Sequence, residues 1–360
     1  MAVADRAHHV PAVVAEVLRG LLAHDVPLVR HERDKGDEGA ANDRPQRPAG
    51  ELLPKDLRSA RPGNAHGATI STSVFERVPK IIGGGEDAGA VRPEEPRRRL
   101  QDLGVRASKG LGQHFLLDER IADRHVELGR IRAGDTVLEI GPGLGILTER
   151  LLGKAAKVLA VEKDRRLARA LRDLDGNLEV IEGDAVRVPL PAFDKVVSNL
   201  PYQISSPITF RLLDLSFDRA ALMYQREFAE RLVAKPGTED YSRLAVKAYV
   251  RCRAEITERV PRAAFWPQPK VDSAIVVLEP RPFPFPVTDE GLFDAVVDAT
   301  FEHRRKTIEN GLRLSWRRFA GSEAAFARML DAAPYRRNRP EELAPEQFGE
   351  LVDALAHGKG

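Results

Sequence analysis

The chain has 360 residues, 42% of them apolar and 31% charged, with a formal net charge of +2. That length holds two domains with a sizeable core, the apolar runs fall far short of the roughly 20 residues a bilayer span needs, and the near-neutral balance gives no whole-chain signature of a nucleic-acid binder. The single cysteine, Cys252, excludes an intramolecular disulfide and a zinc site built from several cysteines, and suits a reducing cytoplasm. No basic-then-apolar leader is expected at the N-terminus, where Pro11, Glu16 and Arg19 interrupt the apolar residues.

Residues 1–95 carry one amphipathic candidate helix, 10–23, followed by a stretch rich in Arg, Asp, Gly and Pro that reads as a disordered extension. A helix is expected over 97–103, a basic, glycine-punctuated loop over 107–115, and an amphipathic helix with an acidic cap over 118–129. From Thr136 short apolar strands alternate with helices: strands 136–140, 158–161, 178–181, 195–198 and 220–224, with helices 144–152, 165–174, 206–213 and 227–234. That rhythm predicts an α/β fold, a doubly wound, Rossmann-like parallel sheet covered by helices on both faces. The pair 253–260 and 273–279 reads as an antiparallel hairpin around a proline-bearing loop, and Pro280, Pro282, Pro284 and Pro286 as a linker. Residues 289–356 are helical in pattern, with a break at 334–340. The expected organisation is an extension (1–95), a catalytic sheet domain (96–281) and a smaller helical C-terminal domain (282–360).

Glu139-Ile140-Gly141-Pro142-Gly143-Leu144-Gly145 joins the first strand to a helix, where glycines let the backbone approach a nucleotide-like ligand at the carboxyl edge of the sheet. Dinucleotide-binding folds use a glycine turn in the same place, but Gly-x-Gly-x-Gly is one residue short of their fingerprint. Glu162 ends the second strand about 20 residues on, where a carboxylate accepts from both ribose hydroxyls. Asp184 follows the third strand and can accept from an adenine amine. Either carboxylate alone also fits a helix cap or a solvated loop; in this order they fit the adenosine half of S-adenosylmethionine, with Glu139 and the backbone near Gly141 toward its charged end. Asn199-Leu200-Pro201-Tyr202 then follows a strand. It offers a side-chain amide, a proline-fixed turn and an aromatic face, a set suited to a flipped adenine and to methylation of its exocyclic amine.

Five ordered motifs make the sequence resemble the ribosomal RNA adenine N6,N6-dimethyltransferases of the small subunit, archaeal members above all. They are Gly112-Gln113-His114-Phe115-Leu116, the Glu-Ile-Gly-Pro-Gly turn at 139–143, Asn199-Leu200-Pro201-Tyr202, Phe265-Trp266-Pro267-Gln268-Pro269-Lys270-Val271-Asp272-Ser273-Ala274, and His303-Arg304-Arg305-Lys306-Thr307. The resemblance runs from about residue 103 to 348 and leaves the first 95 residues without a counterpart. It implies a class I methyltransferase sheet and cofactor contacts at His114, Leu116, Gly141, Glu162, Asp184 and Asn199. His114 stands where bacterial members usually carry Asn, a change that a backbone contact survives.

For the target base the resemblance implies Asn199, Leu200, Pro201 and Tyr202, with Phe265 as a second stacking face; Phe265 and Trp266 also read as loop anchors packed on the sheet. The implied substrate is a pair of adjacent adenosines in a 3′-terminal hairpin loop of small-subunit ribosomal RNA, met on a 30S precursor particle by a cytoplasmic monomer. A macrolide-resistance type of large-subunit methylase and a non-catalytic assembly factor are the alternatives. Basic residues at 97–99, Arg106, Lys109, Arg304, Arg305, Lys306, Arg313, Arg317 and Arg318 are candidates for phosphate contacts, although those on the helices cannot share one narrow face.

Overall fold

The strands at 136–140, 157–162, 195–199 and 219–225 are buried along almost their whole length, as strands covered on both faces are, whereas the edge strand at 178–182 has no buried residue. The computed structural model describes residues 94–105, 113–331 and 333–358, all within one compact unit. The candidate helix 10–23, the rest of the extension to residue 93, and residues 106–112 of the glycine loop lie outside the described residues.

Seven strands form one sheet: β2 (Thr136–Ile140), β3 (Lys157–Glu162), β4 (Leu178–Glu182), β5 (Lys195–Asn199), β6 (Arg219–Gln225), β7 (Cys252–Val260) and β9 (Ser273–Pro280). Their order is β4-β3-β2-β5-β6-β9-β7, parallel from β4 to β6 and antiparallel beyond. Alternate residues feed two apolar layers, Leu138, Leu159, Val196 and Leu222 on one face and Val137, Val158, Val197 and Ala221 on the other. Helices α3 (Ile146–Leu152), α4 (Arg165–Leu171), α5 (Ser205–Leu213) and α6 (Arg226–Leu232) follow β2, β3, β5 and β6. The chain reverses direction across the sheet between β2 and β5, the switch point at which such sheets bind ligands. There the two strands pair only at Val137↔Lys195 and Leu138↔Val196. Beyond that the Ser198 hydroxyl spans the gap, accepting from the Ile140 N–H at 2.5 Å and donating to the Ile140 carbonyl at 2.9 Å.

Ahead of the sheet stand α1 (Glu94–Asp102), β1 (Phe115–Leu116) and α2 (Glu119–Leu128). Asp118 caps α2 as expected, accepting from the Arg120 and Ile121 N–H groups. The loop expected over 107–115 yields its last residue to β1, which pairs antiparallel with β8 (Phe265–Trp266), a ladder some 150 residues apart that no local pattern announces. Helix α7 (Arg243–Arg251) is also unannounced. It serves two cores: Leu244 and Ala248 pack with the sheet, while Ala245, Val246 and Val250 pack with the C-terminal helices α8 (Glu290–Glu302), α9 (Ile308–Leu314), α10 (Glu323–Asp331) and α11 (Pro345–His357). Lys247 bridges to Asp298 at 2.9 Å, and Arg251 to Asp294, tying α7 to α8. The proline-spaced segment is docked rather than free: Phe283 and Phe285 pack around Phe293, the former edge-on at 5.1 Å. Among the described residues no helix is long and apolar enough to cross a membrane.

Candidate active site

The glycine turn leaves β2 at the switch point with Gly141 at φ +68° and Gly143 at φ +62°, backbone that favours glycine. A Cβ on Gly141 would stand 2.8 Å and 2.9 Å from the Pro201 ring, so the turn and the Asn-Leu-Pro-Tyr segment meet with no room for a side chain between them. Around this contact lies a cavity bounded by His114, Leu116, Glu139, Gly141, Glu162 and Asn199, among others. Glu162 shapes its floor, accepting from the Gly143 N–H at 3.2 Å and from the Asp164 N–H at 2.9 Å. A carboxylate has about four acceptor sites, so these backbone donors leave acceptor capacity for a ligand. Glu139 is 1% exposed, and its carboxyl, which accepts from the Thr148 hydroxyl at 2.7 Å, is pushed up to about 8 by burial, with the nearby Glu162 charge adding to the rise. Burial also raises Glu162. Two buried carboxyls beside an open glycine turn favour a ligand that brings positive charge and hydroxyl donors.

The other wall is made by the end of β5. The Asn199 Nδ2–H donates to the His114 carbonyl at 3.3 Å, while Asn199 Oδ1 is buried and has no hydrogen-bond partner among the described residues. An acceptor left so costs about 1–3 kcal/mol, and such atoms are rare unless something else fills the site. Leu200 is buried, with its N–H directed to the Met223 carbonyl at 3.3 Å. Tyr202 opens a 3-10 turn (Tyr202–Ile204), and its hydroxyl shares a 2.6 Å hydrogen bond with Ser273 Oγ. Burial raises the Tyr202 phenol to about 12, which keeps the ring neutral. The imidazole of His114 stands beside it, ring centroids 5.4 Å apart and planes 31° from parallel.

A family model described as ribosomal RNA adenine dimethylase matches residues 104–341. The chain belongs to the ribosomal RNA adenine dimethylase family. Among curated relatives of this dimethylase, a probable ribosomal RNA small subunit methyltransferase A from Thermococcus onnurineus is 48% identical over 264 residues, which is 71% of this chain and 96% of the relative. One of the same name from Methanosarcina acetivorans is 46% identical over 68% of this chain and 91% of its own. Among solved structures, a dimethyladenosine transferase from Plasmodium falciparum is 31% identical with a TM-score of 0.58, covering 68% of this chain and 98% of its own. The 23S rRNA methyltransferase ErmE is 33% identical with a TM-score of 0.51, covering 67% and 99%. The Rossmann-like sheet and the helical C-terminal region are therefore those of this dimethylase family.

Of the expected site residues, His114, Leu116, Gly141, Glu162, Asn199, Leu200, Pro201 and Tyr202 line the one cavity, and Glu139 joins them. Asp184 does not. Its carboxylate, held below the usual range by Lys163, pairs with Lys163 Nζ at 2.9 Å and accepts from the Val186 N–H at 3.0 Å. Phe265 does not line the cavity either: it is 3% exposed, paired in the ladder with Leu116 and packed in the core, the arrangement of an anchor. Trp266 is a partly exposed anchor covered by the Arg97 guanidinium at 5.4 Å. Sequence reasoning missed Ser273, whose hydroxyl fixes Tyr202; its signal was its place directly after Asp272 in the fourth motif. Several candidate phosphate ligands are already engaged, Arg313 with Glu309 at 3.0 Å and Arg318 with Glu302 at 3.0 Å, whereas Arg305 and Lys306 are exposed. Arg106 and Lys109 lie outside the described residues.

Proposed function

We propose that this dimethylase transfers methyl groups from S-adenosylmethionine to N6 of two adjacent adenosines in a 3′-terminal hairpin loop of small-subunit ribosomal RNA, two on each. In this reading it works as a monomer on a 30S precursor particle, as a step of small-subunit biogenesis. The observation that carries the reading is the unpartnered, buried Asn199 Oδ1 in a cavity that also holds the spare acceptor sites of Glu162.

The cofactor supplies, when bound, an electrophilic methyl group on a sulfonium. Its charge and hydroxyls fit the residues present: Glu162 accepts from the ribose diol, Glu139 faces the cationic end, and the Gly141 turn admits the ligand against backbone. His114 and Leu116 form the opposite wall, and Asp184 takes the adenine amine with the acceptor sites that Lys163 leaves open. On the base side, Asn199 Oδ1 and the Leu200 carbonyl each accept one N6 proton, which holds the nitrogen toward a tetrahedral shape with its lone pair free. Pro201 fixes the turn between them. Tyr202 stacks on the extruded base, a contact worth about 1–3 kcal/mol. Phe265 supports this pocket from behind through Leu116, and it becomes a stacking face only if the segment 265–267 opens. Positioning and electrostatics supply the rate, and no strong base is needed because the amine turns acidic once alkylated. The sheet part up to residue 281 carries this chemistry, and the helical part, 282–360, forms the smaller domain that α7 joins to it.

The likeness to ErmE keeps a large-subunit substrate as a second reading; the names of the curated relatives support the small subunit. Labelled cofactor offered to undermethylated small and large subunits separates them. Label in small-subunit RNA is the expected result, label in large-subunit RNA favours the second reading, and cofactor binding without transfer to either points to an assembly factor.

A further inference from the structure

Asn199 has two ways to present its amide, related by a half-turn about its last side-chain bond, and only one of them offers an oxygen to an amine. The choice is made by what the other half of the amide meets. Here that is the His114 carbonyl, which accepts from Nδ2 at 3.3 Å. The flipped amide would set Oδ1 against a second carbonyl oxygen, two acceptors with no proton between them. The polarity of the site thus depends on where the backbone of residue 114 stands.

That backbone lies just outside β1. The register Phe115↔Trp266 and Leu116↔Phe265 makes His114 and Pro267 the next pair, and Pro267 has no N–H with which to close it. A side chain closes it instead: His114 Nδ1 lies 2.6 Å from the Pro267 carbonyl. A carbonyl oxygen only accepts, so Nδ1 carries the proton. The same ring lines the cavity beside Tyr202.

We propose that His114 is a positioning residue for methyl transfer, its imidazole N–H to the Pro267 carbonyl holding the backbone that orients the Asn199 amide with its oxygen toward the target amine. This rests on the adenine-N6 reading of the site and adds to it a residue acting through Asn199. The property required is a donor at the position of Nδ1, and the side-chain N–H of Asn reaches from the same point of the side chain. The His-for-Asn difference from bacterial members therefore preserves the donor while changing the residue.

The test has two arms. In the first, ¹⁵N NMR of the free protein reads the ring tautomer of His114: the Nδ1–H form is expected, and a dominant Nε2–H form overturns the proposal. In the second, methyl transfer to undermethylated small subunits is compared for wild type, His114→Leu and His114→Asn, each checked for a cooperative melt. His114→Leu is expected to lower kcat by roughly 10- to 100-fold, the scale on which a shift of about 1 Å at a reacting group acts, and His114→Asn to recover most of that loss. Equal rates for all three, or equal losses in both variants, overturn it. If wild type itself transfers no methyl group, the functional reading fails and the positioning role falls with it, and the tautomer then reports only on the hydrogen bond between His114 and Pro267; transfer by wild type with the Nε2–H tautomer overturns the positioning role alone.

Discussion

Replacing Glu139 by Gln separates the stability of this site from its purpose. The Glu139 carboxyl is 1% exposed and pushed up to about 8 by burial, from an ordinary value of 4.5. A carboxyl whose folded value is raised contributes stability that is complete below 4.5 and is lost as pH rises through 8, because the unfolded chain gives up the proton first. At about 1.4 kcal/mol per pH unit, the interval from 4.5 to 7 removes on the order of 3 kcal/mol from wild type through this one group. Gln keeps an oxygen for the Thr148 hydroxyl and has no proton to lose. Thermal or urea denaturation of both proteins at pH 5, 6, 7 and 8 should show curves that diverge with pH, with Glu139→Gln the more stable by about 6–12 °C in Tm at pH 7. Its affinity for S-adenosylmethionine should fall at the same time, since Gln cannot give up a proton and turn negative when the cationic end binds. Parallel stability curves for the two proteins would refute the reasoning.

Other outcomes follow from the same geometry. Asn199→Ala removes the acceptor offered to the amine, so both the first and the second transfer should disappear in product mass analysis; normal dimethylation contradicts the assignment. Gly141→Ala places a methyl 2.8 Å from the Pro201 ring at φ +68°, and should cost about 1–3 kcal/mol of stability along with most of the transfer rate, read by melting and by kcat. His125 is fully buried, its ring paired to the Ala221 carbonyl at 2.9 Å and its value lowered by burial to about 4 from 6.5. Its contribution is complete above 6.5, and about 3 kcal/mol should be lost as pH falls to 4, a slope absent from His125→Gln. Deletion of residues 1–93 should leave transfer to small subunits intact, and a large loss shows that the extension takes part.

The parts of the site that were legible in the sequence are those made by local rules. The Gly141 turn reads directly because positive φ calls for glycine, and β2 matches its expected bounds because the apolar Val137, Leu138 and Ile140 run up to that turn. Asn199, Pro201 and Tyr202 follow a strand end, so their side of the sheet was settled once the parallel order was. What was not legible depends on contacts distant in sequence. Phe265 is buried because β8 finds β1, a two-residue ladder with no periodicity to detect. The pairing of Asp184 with Lys163, on the loop after a different strand, is another such contact. Helix α7 follows a Lys-Pro-Gly turn, and it is apolar on two faces because it packs against two cores.

The central claim is tested most directly by the product itself: the modified nucleoside, and its position, in small-subunit RNA after reaction with S-adenosylmethionine. The account predicts N6,N6-dimethyladenosine at two adjacent positions of one hairpin loop near the 3′ end. Monomethyladenosine alone, or modification at a single adenosine, would contradict it.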